Sequence, residues 1–307
     1  MNQVDLLTEI LAREGAEALG WERGRPAGSI ARTLLRPVAR RIAREFAACD
    51  EIFATRALPE AARWSLEHFS AELEVAGLDR VPRRGPILLV ANHPGLTDAV
   101  GLIAALDRPD VRIVAADYPF LHAMRGLGPR LIFLGASGTS QLSWLRAVAR
   151  DLRQGGVVLL FPAGRLEPDP AVLGRDGALA PWSDSVDLIA RLAPEAQIVP
   201  AAVTGVLSAR AFAHLLTRIR RTARDRQRVA TLLQMVDPRF RPVRPRIAFD
   251  TPLVAGAEGV GAALAFRMRD LISELSPSTR LLPSLVREAS APYSGSGDAA
   301  QPGTAIP

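Results

Sequence analysis

A histidine and an aspartate that could form a catalytic pair follow an apolar run in the first third of the chain. His93 lies two positions after the run Ile87–Ala91, and Asp98 lies five residues further on. In a continuous helix five residues turn through about 500°, which would leave the two side chains about 140° apart. Pro94 and Gly95 break such a helix and favour a tight turn, so the carboxylate can point back at the imidazole. A histidine oriented by an aspartate can serve as a general base.

A structural interpretation fits the same two residues. Asp98 could cap the N-terminus of a helix over residues 98–106, and His93 could bond to a backbone carbonyl. The turn alone does not decide between the two interpretations, because a short motif is only a weak indication of function.

A second motif, Phe161-Pro162-Ala163-Gly164-Arg165, ends a predicted buried strand. Active sites of α/β proteins gather at the carboxyl ends of strands. Gly164 lets the backbone approach a ligand closely, and Arg165 offers a planar fork to a phosphate. The alternative is a surface loop with a solvated arginine. A third apolar run, residues 197–203, contains Pro200, which predicts a sheet edge, a bulge, a strand start or a plain kink.

Composition limits the possible functions. The 307-residue chain has a net charge of +6, and its 38 basic residues are all arginine, which excludes a lysine Schiff base and a lysine-dependent phosphate loop. The charge favours an anionic partner such as phosphate or acidic lipid, whereas nucleic acid is disfavoured because no aromatic interleaving accompanies the arginines. Cys49 is the only cysteine, so no intramolecular disulfide forms. No metal is expected, because metal-ligand spacing is lacking among His68, His122 and His214.

Apolar periodicity divides the chain into three parts. Residues 1–78 predict an N-terminal helical region, residues 79–285 an α/β domain with a largely parallel sheet flanked by helices, and residues 286–307 a disordered tail. The predicted strands are Ile87–Ala91, Arg112–Ala115, Leu131–Leu134, Val157–Phe161, Gln197–Val203 and Arg246–Phe249. The predicted helices are Pro59–Val75, Asp98–Leu106, Pro119–Leu127, Gln141–Arg153, Asp184–Leu192, Ala209–Val236 and Gly259–Leu275.

One predicted N-terminal helix combines a basic stripe with an apolar face, and Pro37 is expected to start or kink it. Such a helix suits an anionic lipid surface, although the apolar face could equally pack on a core. The arginines at 218–228 are a second basic candidate. No transmembrane run and no signal core is found, so we expect a cytoplasmic protein, peripheral on the inner face of the cell membrane. The stripe is Arg32, Arg36, Arg40 and Arg44, and the face is Leu35, Val38, Ile42 and Phe46.

In their order and spacing these motifs resemble the glycerolipid acyltransferase family typified by 1-acyl-glycerol-3-phosphate acyltransferase. An ordered set of motifs is far more specific than any one of them. The resemblance spans residues 78–253. The family's His-x4-Asp motif matches His93 and Asp98, its Phe-Pro-Glu-Gly-Thr-Arg motif matches Phe161, Pro162 and Gly164, and its Val-Pro motif matches Val199 and Pro200.

The chain departs from the family pattern at three places. Ala163 stands where the family has glutamate, and Glu167 is the nearby candidate replacement. Arg165 sits one position earlier than the family's arginine, and Leu166 occupies the usual position. Arg130 precedes the strand of the family's second motif, whereas the family's arginine follows it. These changes bear on a glycerol-3-phosphate-type acceptor and much less on the base and its partner.

The resemblance implies direct acyl transfer to a lysophospholipid or a related lipid. His93 would take the proton of the acceptor hydroxyl as it attacks an acyl thioester, and Asp98 would fix the tautomer and stabilise the imidazolium. The implied donor is acyl-CoA or acyl carrier protein, with no other cofactor. A lyso-aminolipid acceptor and a catalytically silent lipid-binding relative are the alternatives. The predicted substrate-binding residues are Phe161, Pro162, Gly164 and Arg165, with Arg165 on an acceptor anion.

Overall fold

An eight-stranded, mostly parallel sheet lies at the centre of the protein and confirms the predicted α/β class. The computed structural model describes residues 2–18, 26–70, 72–135, 139–175, 177–255 and 259–275. The strands are β1 (Glu74–Ala76), β2 (Ile87–Ala91), β3 (Val111–Ala115), β4 (Leu131–Phe133), β5 (Val157–Leu160), β6 (Gln197–Thr204), β7 (Arg246–Phe249) and β8 (Leu253–Val254). Their order is β1-β7-β6-β2-β5-β3-β4, and β8 pairs with the start of β6. Only β7 and β8 run antiparallel to β6 among these pairs.

Helices cover both faces of this sheet. Helices α3 and α4 pack against one face, and helices α6, α8 and α12 pack against the other. The helices in the described ranges are α1 (Gln3–Ala18), α2 (Pro26–Thr55), α3 (Leu58–Phe69), α4 (Asp98–Leu106), α5 (Pro119–His122), α6 (Thr139–Arg153), α7 (Pro170–Leu173), α8 (Ser185–Leu192), α9 (Ala209–Phe212), α10 (Leu215–Arg218), α11 (Ala223–Val236) and α12 (Val260–Leu275).

Strand β2 is buried along its whole length and shows how the two cores divide. Leu89 packs with the helices on the α3–α4 face, whereas Leu88 and Val90 pack on the α6–α8–α12 face. Successive side chains of a strand point to opposite faces, so a strand covered on both sides must be apolar at every position. The run Ile87–Ala91 meets this requirement, which explains why the sequence predicts it with the observed boundaries.

A buried carboxylate joins the N-terminal helices to the α/β domain. Asp50 of α2 is 2% exposed and accepts the backbone N–H groups of Arg125, Gly126 and Leu127 at 2.7, 2.9 and 2.9 Å. A Cβ on Gly126 would lie 2.1 Å from the carbonyl oxygen of Asp50, so this close approach requires glycine. The helix predicted over 119–127 was too long, because these N–H groups bond to Asp50 and only α5 forms.

Two further helix predictions in this region needed correction. The helix predicted over 59–75 ends at Phe69, because Val75 lies in β1 and pairs with Ile247 of β7. Helix α2 begins at Pro26 and runs through Pro37, so Pro37 does not start it, and the alternative that Pro37 kinks the helix stays a prediction. Helix α1 packs along α2, and this packing stabilises the continuous helix at Pro37, where the proline removes one backbone hydrogen bond.

The predicted apolar face of α2 packs mostly inward. Ile42 is buried, Leu35 and Phe46 are half-buried, and Val38 alone of the four is exposed. Two arginines of the basic stripe also bond to acidic residues of α1, which reduces the positive charge that this helix presents. These ion pairs are Arg36–Glu9 at 2.8 Å and Arg40–Asp5 at 3.7 Å.

The long helix predicted over 209–236 is divided into α9, α10 and α11. A side chain caps the start of each piece: Ser208 accepts from the N–H of Ala211, His214 from Leu216 and Thr222 from Asp225. Such side-chain bonds compete with a continuous helical ladder, which apolar periodicity does not reveal.

Pro200 lies in the interior of the sheet, within β6. Its carbonyl oxygen accepts the N–H of Asp250, in the gap between β7 and β8. The N and C=O of one extended residue point to the same side, so the missing N–H also faces this gap and costs no bond to β2. The proline therefore marks the point where β6 changes its antiparallel partner.

The predicted tail at 286–307 lies outside the described residues. Within the described ranges, none of the helices combines the length and the apolar character that a membrane span requires.

Candidate active site

Three neighbouring parallel strands bring the two motifs together. Val90 of β2 pairs with Leu160 of β5 on one side and with Pro200 of β6 on the other. The carboxyl ends of these strands therefore meet at one edge of the sheet, where α/β proteins bind ligands. The turn after β2 carries His93, and the segment after β5 begins with Phe161.

The turn after β2 places the imidazole against the aspartate. Nδ1 of His93 lies 2.7 Å from Oδ2 of Asp98. The same carboxylate accepts the backbone N–H of Gly95 at 3.0 Å and of Ala99 at 2.6 Å. Asp98 is the first residue of α4 and is 1% exposed. The carboxylate therefore holds the ring and also satisfies N–H groups at the start of the helix.

The second ring nitrogen of His93 is open to a ligand. The side chain is 30% exposed, and Nε2 has no hydrogen-bond partner among the described residues. Because a carboxylate can only accept, Nδ1 carries the proton of the neutral ring and Nε2 keeps its lone pair. Burial lowers the pKa of His93, but the charge and hydrogen bond of Asp98 and the charge of Glu167 outweigh burial and raise it above its ordinary value.

The segment after β5 packs against this imidazole. The rings of Phe161 and His93 stack with their centroids 4.5 Å apart and their planes 28° apart. Pro162 is buried, and its carbonyl oxygen accepts the N–H and the hydroxyl of Ser183 at 3.2 and 3.1 Å. The N–H of Gly164 donates to the carbonyl of Phe161 at 3.0 Å and closes the turn.

Glycine is required at position 164 because of the backbone conformation there, and not because a larger side chain would lack space. Its φ is +60°, in the left-handed region, and a Cβ at this position would meet no atom within 4 Å. Ala163 and Arg165 flank it and are half-buried. Arg165 therefore lies on the short segment between Phe161 and Glu167, both of which contact His93.

Glu167, the candidate replacement for the missing acid, holds the backbone of His93. Its Oε2 accepts the N–H of His93 at 2.9 Å, and its own N–H donates to the carbonyl of His93 at 2.8 Å. Oε1 accepts from the N–H of Ala180 at 2.8 Å and the indole of Trp182 at 3.2 Å. Burial raises the pKa of Glu167, and these hydrogen bonds offset the rise only in part. Being 0% exposed, the carboxylate faces protein donors and not a bound substrate.

Sequence reasoning missed two residues that organise this site. Asn92 bonds to both backbone groups of Val203, which ties the end of β2 to β6. Gln227 of α11 is 2% exposed and donates to the carbonyl oxygens of Pro94 and Glu167 at 2.7 and 2.8 Å. The position of Asn92, a polar residue directly after a buried strand, was a signal that could have identified it. Nothing in the sequence distinguished Gln227 from the arginines around it.

Asp169 stabilises the neighbouring turn after β6. It is fully buried, and burial raises its pKa although five donors surround it. The described residues contain no group of three or more His, Cys, Asp or Glu side chains that could hold a metal ion. The donors to Asp169 are the N–H groups of Ala171, Gly205, Val206 and Leu207 and the hydroxyl of Thr204.

Replacing Gln227 by leucine should loosen the turn that carries His93. The change leaves two buried carbonyl oxygens without their donor, at a cost of about 1–3 kcal/mol each. We expect amide hydrogen exchange at His93 and Glu167 to become about tenfold faster or more. Gln234→Leu is the matched control, because Gln234 is buried on the same helix but bonds to Ser208 and Val206. Equal protection of both amides in the two variants would contradict this role of Gln227.

Comparison with known proteins finds similarity to acyltransferases over part of the chain. Residues 72–204 match the model of the Acyltransferase family. A lyso-glycine lipid O-acyltransferase of Bacteroides thetaiotaomicron is 29% identical over 101 residues, covering 32% of this chain and 37% of that protein. One of the same description from Phocaeicola vulgatus is 29% identical over 103 residues, covering 32% and 36%. The chain therefore spans little more than a third of the length of these relatives.

The chain also resembles the crystal structure of the 1-acyl-sn-glycerophosphate (LPA) acyltransferase PlsC from Thermotoga maritima. The TM-score is 0.47 at 16% identity, over 89% of this chain and 93% of that chain. The stretch matched by the family model contains β1 to β6 and both turns that form the site. Residues 72–204 of this chain are therefore similar to the Acyltransferase family.

Proposed function

We propose that this protein is an O-acyltransferase that moves a fatty acyl group from an acyl thioester, either acyl-CoA or acyl carrier protein, to the hydroxyl of a lysophospholipid or related lipid. The observation that carries the proposal is the state of His93. Its Nδ1 is held by a buried carboxylate at 2.7 Å, and its Nε2 is unpartnered within the described chain. This is the arrangement that a general base needs.

The reaction then follows in balanced steps. Nε2 of His93 takes the proton of the acceptor hydroxyl as its oxygen attacks the thioester carbonyl carbon. The imidazolium that forms is stabilised by Asp98, which stays ionised. The carbon–sulfur bond breaks, the proton passes from Nε2 to the leaving thiolate, and an ester and a free thiol result. No covalent acyl-enzyme is needed.

The acceptor is inferred from the segment after β5 and from the relatives of the chain. Arg165 would bind an acceptor anion, and Phe161, Pro162 and Gly164 would shape the same pocket wall. A lyso-aminolipid is the second candidate acceptor. Two observations favour it: the chain departs from the family pattern at Ala163 and at the arginine position, and its relatives are described as lyso-glycine lipid O-acyltransferases.

Release of CoA from acyl-CoA separates these possibilities. An enzyme should release CoA only when its acceptor is present, so a lysophospholipid and a lyso-glycine lipid are supplied in parallel. Lipid binding without CoA or carrier release for any acceptor would instead indicate a catalytically silent relative. A lipid acceptor also motivates the proposed peripheral position on the inner face of the cell membrane.

Replacing His93 by alanine should lower the rate of acyl transfer by about 10²–10⁴-fold while the protein stays folded, because a positioned base contributes about this much. His122→Ala is the matched control. His122 also bonds to an aspartate five residues away, at 2.5 Å, but that pair is about half exposed. Wild-type turnover in His93→Ala, or an equal loss in His122→Ala, would remove His93 from the role of base.

Replacing Asp98 by asparagine should change the pH profile as well as the rate. The base works only when neutral, so the raised pKa of His93 makes kcat/KM fall as the pH drops through a value above 6.5. Without the carboxylate charge, burial lowers that pKa, and the acid limb should move to lower pH. The maximal rate should fall by about 10²–10⁴-fold, because the tautomer is no longer fixed. An acid limb that stays in place would show that another group titrates.

Replacing Arg165 by alanine should raise the KM for the acceptor by about 10- to 100-fold, the usual effect of losing a charged hydrogen bond. The KM for the thioester is the internal control and should change little. If only the thioester KM rises, Arg165 belongs to the donor site.

A further inference from the structure

The one-turn helix α10 is inverted in polarity. Its polar residue, Thr217, is fully buried, whereas Leu215 and Leu216 are 73% and 51% exposed. Ile219, which directly follows the helix, is 74% exposed. Helices at the surface of a protein normally turn their apolar side chains inward. Three exposed leucine and isoleucine side chains in and directly after a single turn are therefore unexpected for a surface that only meets water.

Local hydrogen bonds hold this exposed apolar tip in place. The hydroxyl of Thr217 donates to the carbonyl oxygens of Phe212 and His214 at 2.6 Å each. Nδ1 of His214 accepts the N–H of Leu216 at 3.3 Å and caps the helix. The backbone bonds of α10 are thus satisfied by its own segment, and its leucines are not needed for the core.

Positive charge flanks the tip along the chain. No acidic residue occurs between Glu195 and Asp225 in the sequence. Arg218, Arg220 and Arg221 lie in or directly after α10, and none of the three has an ion-pair partner among the described residues. Exposed apolar side chains flanked along the chain by arginines that have no ion pair among the described residues are complementary to a bilayer with anionic headgroups.

The tip is also connected to the candidate active site. Helix α10 packs against α11, and Gln227 of α11 bonds to the turn that carries His93. Phe212 of α9 and Ala230 of α11 share one small core. A surface that binds lipid through α10 would therefore hold the site near the source of a lipid acceptor.

We propose that the α10 tip, formed by Leu215, Leu216 and Ile219 with the flanking arginines, inserts into the surface of an anionic bilayer. The inference rests on the proposed function in that the acceptor is a lipid. It differs from attachment through α2, whose predicted apolar face packs mostly inward and two of whose arginines pair with α1. The exposed Ile30, Leu34 and Val38 of α2 form the competing surface.

Vesicle co-sedimentation of the full chain tests the proposal. The vesicles contain phosphatidylcholine alone or phosphatidylcholine with phosphatidylglycerol, at low and high salt. We expect binding that needs phosphatidylglycerol and weakens with salt. Leu215→Ser/Ile219→Ser should weaken it about tenfold or more, and Arg218→Gln/Arg220→Gln/Arg221→Gln by about fivefold for each arginine.

Leu192→Ser/Val254→Ser is the matched control, because both residues are exposed and adjoin the opposite end of β6. It should bind as the wild type does, and circular dichroism verifies that each variant is folded. Unchanged binding in Leu215→Ser/Ile219→Ser overturns the proposal, and so does loss of binding in Ile30→Ser/Leu34→Ser/Val38→Ser alone, which would place attachment on α2. The wild-type protein could instead form a dimer and not bind vesicles, with Leu215→Ser/Ile219→Ser dissociating that dimer. This result would identify a second copy of the chain as the partner of the tip and would also overturn the proposal.

Acyl transfer to an acceptor dispersed in detergent separates this proposal from the proposed function. The α10 variant should keep wild-type activity there and lose it with acceptor in phosphatidylglycerol vesicles. A protein that binds vesicles as expected but transfers no acyl group in detergent would contradict the enzymatic proposal and leave the docking surface supported.

Discussion

The reciprocal hydrogen bonds between Glu167 and the backbone of His93 are the interaction on which the rest of the site depends. They join the turn after β2 directly to the segment after β5, and the Phe161–His93 stack and the bonds of Gln227 add to this link. A net contribution of about 1.5–3 kcal/mol is usual for a hydrogen bond to a charged group. The buried carboxylate also binds Ala180 and Trp182, so it fixes the imidazole relative to a wide part of the domain.

Gln227 extends this arrangement to a third element. Its amide donates to one carbonyl from each of the two joined loops, so α11 is tied to the site and not merely packed on the sheet. A buried polar network of this kind is stable only when every member is satisfied, which gives it one geometry. Gln227 thus links α11, against which the α10 tip packs, to the turn that carries His93.

The sequence was sufficient to predict those elements that form through interactions between residues close together in the chain. The central strands β2 and β5 are uninterrupted apolar runs, and the His93–Asp98 pair lies within one turn. The short strands β1 and β8, with three and two residues, contain no such run and form because a partner strand is available. The bonds of Glu167 and Gln227 to the turn that carries His93 join residues 74 and 133 positions apart, and no local pattern encodes them.

The structure gives the two members of the pair opposite environments, and the chemistry depends on that difference. Asp98 is almost fully buried, so water does not weaken its interaction with the ring and the carboxylate cannot turn away. The side chain of His93 is partly exposed and its Nε2 has no partner among the described residues, so a hydroxyl can approach this nitrogen. The carboxylate that orients the ring also raises its pKa. A more basic ring accepts a proton more readily but is neutral over a narrower pH range, and burial limits this cost by opposing the rise.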